Sequence, residues 1–88
     1  MEDTKKQYVL LSSEIIAKMA IVFGPDIVIL RARNVVGLVL NNNGIAVDIL
    51  QDKNETLQKL IDSYLELSNQ IVKSVVEPIF EKYPQVKK

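Results

Sequence analysis

The 88-residue sequence contains no cysteine, no histidine and no tryptophan. Without thiols there is no disulfide framework and no thiolate chemistry. Without imidazole the chain lacks the commonest acid–base group and the commonest nitrogen ligand for zinc or copper. Glycine and proline occur only three times each. The glycines (Gly24, Gly37, Gly44) are too dispersed to form a phosphate-cradling loop or a nucleophile elbow. Charge of one sign is also lacking. Eleven Lys plus Arg balance eleven Asp plus Glu, so no net field steers a polyanion or an anionic membrane. Long apolar runs are missing too, since a spanning helix needs about 20 nearly uncharged residues. Ser12, Ser13, Glu14 and Lys18 interrupt the stretch from Tyr8 to Phe23; Arg31, Arg33, three asparagines and Asp48 interrupt that from Ile27 to Leu50. The N-terminal segment has neither the unbroken apolar core nor the cleavage site of a secretory signal. The expectation is a cytoplasmic protein without membrane contact.

What the chain does have is core-forming material. Of the 88 residues, 31 are Leu, Ile or Val, far more than a disordered chain carries. The length suits one domain over residues 1–88, with residues 85–88 expected as a frayed tail after Tyr83-Pro84.

Thr4 with Gln7 has the form of a capping box, and Tyr8, Leu11, Ile15, Met19 and Val22 follow at helical spacing. One continuous helix is expected. The competing reading places a short strand at Tyr8–Leu11 and starts the helix at Ser12 or Ser13. Gly24-Pro25 should end it, with Pro25 opening a short helix that runs toward Gly37. That second stretch is rich in β-branched residues, so propensity leaves helix and strand close, and the terminal signals decide.

Asn41-Asn42-Asn43-Gly44 marks a hairpin from about Leu38 to Leu50. A two-residue type I′ turn at Asn43-Gly44 would pair Leu40 with Val47 and Leu38 with Ile49, sorting the apolar residues to one face. Asp52 with Glu55 is a variant capping box for the last element. From Leu57 to Ile79 the apolar spacing predicts one long C-terminal helix, kinked at Pro78. The fold class is therefore helix-rich α+β: long helix, short helix, β-hairpin, long helix.

Candidate chemistry is sparse. Asp26 and Asp48 are the only acids embedded in apolar sequence, where burial can raise a carboxyl pKa. Their simpler roles are a first-turn helix acid and a solvent-facing strand residue. Asp48, Asp52 and Glu55 crowd the hairpin exit, yet the spacing fails the calcium-loop pattern, with no glycine at the sixth position and Ser63 at the twelfth. No catalytic residue, metal ligand or cofactor is assigned. Arg31 and Arg33 point to different sides of a helix and the lysines are scattered, which argues against nucleic acid.

The positive signal is surplus apolar surface. In the second half of the first helix only Lys18 is polar, so the helix needs cover on every side. A homo-oligomer, with a two-fold dimer favoured, is expected to supply it through Ile16, Ala20 and Phe23, with Ile71 and Val75 of the last helix adding to the interface. The function that fits is a non-catalytic association or regulatory module. Its rivals are a small-ligand sensor, with a pocket between the hairpin face and the helices, and a DNA-binding regulator.

Overall fold

The computed structural model describes residues 2–84 and residue 86. In chain order it contains α1 (Glu2–Phe23), α2 (Pro25–Arg33), β1 (Leu38–Leu40), β2 (Ala46–Ile49), α3 (Lys53–Leu65) and α4 (Asn69–Glu81). The helix-rich α+β class is as expected. Of the tail expected over 85–88, Gln85, Lys87 and Lys88 lie outside the described residues. Val86 is described: it is buried, and its N–H donates to the Tyr83 carbonyl at 3.0 Å.

The 22 residues of α1 form one helix, about 33 Å long at 1.5 Å per residue. That equals the longest dimension of the molecule, 33 Å. Its N-terminus differs from expectation: the helix already begins at Glu2, so Thr4 lies in the first turn and is not its cap. Tyr8, Leu11, Ile15, Ile16 and Met19 share one face and are buried. α1 packs against α2, β2, α3 and α4. At Gly24 the backbone turns to φ +99°, and Pro25 opens α2 at a position where its missing N–H costs nothing. α2 stops at Arg33, short of Gly37, where the ladder tightens to i→i−3 bonds: the Asn34 N–H is shared between the Leu30 and Arg31 carbonyls, and the Val35 N–H donates to the Ala32 carbonyl at 3.1 Å.

The hairpin keeps its expected register at the open end and loses it beside the loop. Leu38 faces Ile49 and Val39 faces Asp48, but Leu40 faces Ala46 in place of Val47. The loop is the reason. Only Gly44 has positive φ there, whereas a type I′ turn would also need it at Asn43. Instead the Gly44 N–H closes a turn onto the Asn41 carbonyl at 3.0 Å, and the Asn41 N–H reaches the Ile45 carbonyl at 2.9 Å. The loop thus holds three residues, and the Asn41 side chain braces it by accepting from the N–H groups of Asn43 and Ile45. One extra loop residue shifts the pairing by one. A bulge at Val47 shifts it back, so Leu38 and Ile49 still face the core while Val47 turns out.

The long C-terminal helix is two 13-residue helices, not one. Asp52 caps α3 as expected, accepting from the Glu55 N–H at 3.0 Å. The interruption at Glu66–Ser68 carries a tertiary contact as well as a local cap. Arg31, reaching across from α2, donates to the Ser63 carbonyl at 2.9 Å. In a continuous helix the Leu67 N–H would bond to that oxygen; here it bonds to the Tyr64 carbonyl at 2.9 Å. The chain then turns, and Ser68 caps α4 by accepting from the Ile71 N–H. Pro78 lies within the last turns of α4, and the helix continues past it to Glu81.

The accessible surface is 5403 Å². About 5,200 Å² is typical of a compact 9.9 kDa monomer, so the chain by itself reaches ordinary compactness. The core joins all six elements, and its largest fully buried side chain is Tyr64, whose hydroxyl donates to the Val28 carbonyl at 2.8 Å. Burial pushes that phenol's pKa well up, against a smaller opposing effect of the Arg31 charge.

Candidate functional site

Because α3 and α4 are separate helices, they diverge from a three-residue connection and leave a groove between them. Leu57, Ile61 and Leu65 recur every four residues along α3, and Val72, Val76 and Phe80 do the same along α4. These two rows form an apolar floor in which Leu57, Val72, Val76 and Phe80 are buried in the chain's own core and only Ile61 and Leu65 are half-buried. Eight residues of helix separate the first and last member of each row, about 12 Å. The groove encloses about 760 Å³, within the range of sites that hold small molecules or partner side chains. It is open to solvent.

Polar groups line the rim. At one end Tyr8 of α1 donates its hydroxyl to Asn54 Oδ1 at 2.5 Å, and Lys53 lies 5.7 Å from the centre of its ring. Along the α3 side, Gln58 donates to Asp62 at 2.9 Å. The α4 side carries Lys73 and Glu77, both exposed. Among the described residues neither pairs with another charge. They follow each other in the base-then-acid order, the weaker one for an i,i+4 pair.

The five residues expected at an oligomer interface fall in different places. Ile16 is buried inside the chain's own core, with 3% of its surface exposed, so it offers nothing to a partner. Ala20, Phe23 and Val75 are half-buried, and Ile71 is exposed. What α1 leaves open is Leu10, Ala17, Ile21 and Val22, with Ile21 the most exposed at 81%. Sequence periodicity overstated the need for cover on the Ile16 side because α2, β2 and both last helices all pack on α1.

The embedded acids do no visible chemistry. Asp48 lies on the outer side of the hairpin, 2.8 Å from Lys5. That hydrogen bond, helped by the Ile49 N–H, holds its carboxyl below the usual range, opposite to the shift that burial would give. Asp26 occupies the first turn of α2, exposed. Glu14 joins α1 to the residues after α4: Lys82 forms an ion pair with it, and the Tyr83 hydroxyl donates at 3.0 Å. No three His, Cys, Asp or Glu side chains among the described residues group as a metal site would. No helix among them is long and apolar enough to cross a membrane.

Between the hairpin and the helices, where a pocket was expected, lies a shallower hollow of about 370 Å³ lined by Lys5, Lys6, Val9, Val47 and Asp48; the larger groove lies at the helix break, which the apolar spacing does not show. Ser68 was the available signal. A capping residue followed by Asn69 and Gln70, in the middle of an apolar-periodic run, marks a second helix start. Comparison with family models, curated proteins and solved structures finds no match to this chain.

Proposed function

We propose that the protein is a non-catalytic association module whose docking site is the α3–α4 groove. One observation carries this reading: a solvent-open trough of about 760 Å³ lies between α3 and α4, where the half-buried Ile61 and Leu65 stand beside the buried Leu57, Val72, Val76 and Phe80. Such a trough takes the apolar face of an amphipathic helix, with anchors at i, i+3 or i+4, and i+7. Three such anchors span about 10.5 Å, which the floor accommodates. The test is a titration with a fluorescently labelled amphipathic peptide, read by anisotropy. The protein should bind it, and Ile61→Glu, at a half-buried floor position, should abolish binding while the far-UV spectrum and melting transition persist. Binding that is indifferent to Ile61→Glu, or no binding at all, refutes the reading.

A second reading, self-association, is favoured by the outer face of α1. Leu10, Ala17 and Ile21 fall at heptad-like spacing there, with Ala17 small enough for close helix approach. Light scattering across a concentration series tests it: the parent should be at least a dimer, and Ile21→Asp should dissociate it. A parent that stays monomeric at high concentration removes this reading and leaves the first intact.

A further inference from the structure

We infer that Asn43 is a site of spontaneous chemical modification, converted to aspartate and isoaspartate through attack by the Gly44 backbone nitrogen, and that closure of the hairpin loop sets the rate. Water and the chain itself are the only reactants. The Gly44 nitrogen, having given up its proton, forms a bond to Asn43 Cγ, and the side-chain nitrogen leaves as ammonia. The cyclic imide so formed then takes up water. Cleavage at Cγ gives aspartate; cleavage at the main-chain carbonyl gives isoaspartate, in which the backbone runs through the side-chain carbons. Nothing is oxidised or reduced: water enters and ammonia departs.

Of the six asparagines, Asn43 alone precedes glycine. Asn34 precedes Val35, Asn41 and Asn42 each precede another asparagine, and Asn54 and Asn69 precede Glu55 and Gln70. A side chain on the following residue crowds the approach of its nitrogen, and glycine has none. Access points the same way. The Asn43 side chain is exposed and, among the described residues, makes no hydrogen bond. By contrast, Asn41 Oδ1 accepts from the N–H groups of Asn43 and Ile45, and Asn54 Oδ1 accepts from the Tyr8 hydroxyl.

The folded loop holds the nucleophile back. The Gly44 N–H donates to the Asn41 carbonyl at 3.0 Å, and Gly44 is buried against Ile29. Its nitrogen is free to attack only while that turn is open. Arg33 donates to the same Asn41 carbonyl at 3.0 Å, so α2 helps to keep the turn shut. The two products then differ in consequence. Aspartate keeps the main-chain length of the turn. Isoaspartate adds a methylene to the ring that the Gly44 N–H closes, and a loop of three residues has no slack to absorb it.

The test ages the full chain at mildly alkaline pH and follows it by peptide mapping with mass spectrometry, isoaspartate being separated from aspartate by chromatography. Native protein is compared with protein unfolded in guanidinium chloride and with the folded variants Asn41→Ala, which removes the brace, and Arg33→Ala, at an exposed position. Conversion should appear first at Asn43 in the native chain. It should run about tenfold slower there than in the unfolded chain, as the loss of one hydrogen bond before attack requires. Each variant should convert severalfold faster than the parent at an unchanged far-UV spectrum. The isoaspartyl fraction should unfold at lower urea than the aspartyl fraction. No conversion at Asn43 in the native chain over many half-lives of the unfolded one, or conversion first at Asn41 or Asn42, overturns the site. Equal rates in native and unfolded chains, or rates indifferent to both substitutions, overturn control by the loop. Equal urea midpoints of the two products overturn the consequence drawn for the turn.

Discussion

Gly44 is where a single methyl group tests both the backbone and the packing of the hairpin loop. Its φ is +83°, and a Cβ built there would lie 2.7 Å from Ile29 Cδ1 and 2.8 Å from Cγ1. The left-handed conformation costs an ordinary residue roughly 1–2 kcal/mol. Ile29 can yield only partly, because it is half-buried and stiff at χ1. Crowding of this kind adds about 1 kcal/mol or more. Gly44→Ala should therefore cost about 2–3 kcal/mol, and Gly44→Val more, against the ~5–15 kcal/mol that holds a typical domain together. Urea denaturation followed by far-UV circular dichroism measures it, since the chain has no tryptophan. A double-mutant cycle with Ile29→Ala separates the two contributions. The packing part should vanish when Ile29 is trimmed, and the backbone part should remain. Gly44→Asn, which tolerates positive φ better, should be milder in backbone strain at equal Cβ contact. If Gly44→Ala leaves the urea midpoint unchanged, the three-residue loop is wrong. If the Ile29→Ala background brings no relief, α2 does not lie against the hairpin loop.

Tyr64→Phe should lower stability by about 1 kcal/mol, the usual net value of one buried hydrogen bond, in the same urea titration. Ser12 is fully buried and its hydroxyl has no partner among the described residues, so Ser12→Ala should leave stability unchanged or raise it by up to ~1 kcal/mol. The Lys82 hydrogen bond holds the Glu14 carboxyl below its ordinary 4.5, Tyr83 adds to this, and burial opposes. A depressed folded-state pKa gives stability that is present above 4.5 and lost as the pH falls through the folded value. Denaturation midpoints measured from neutral to acid pH should therefore fall less steeply in Glu14→Gln than in the parent. Identical slopes would show that the contact with Lys82 and Tyr83 does not form in solution.

Local signals located the elements well and their relations less well. Gly24-Pro25, Asp52 and the alternation around Leu38 and Ile49 act through neighbours in sequence, so they are legible there. The hairpin loop was misjudged because three consecutive asparagines offer several turns. The choice is made by Asn41, whose side chain braces the longer loop. The sequence weighs Arg31 only as a nucleic-acid contact, yet it reaches 32 residues along the chain to the last turn of α3. No periodicity in Leu57–Ile79 could reveal that contact, although the Ser68 cap marks the second helix start locally. Ile16 was assigned to a partner for a related reason: helical spacing shows that a side is apolar, but not which element of the same chain covers it.

The grip of Arg31 on Ser63 also orders events in folding. Caps such as Asp52 and Ser68 form within one turn of helix and on the time scale of helix growth. Arg31 must first be brought across 32 residues by the docking of α2, at the entropic cost of closing that loop. Ser68 can therefore start α4 before α2 arrives, and the segment from Lys53 to Glu81 can bend locally. What docking adds is a lock: once Arg31 takes up the Ser63 carbonyl, that oxygen is engaged outside the helix ladder and the angle between the two helices is held from a third element. The groove's shape thus becomes tied to the seating of α2.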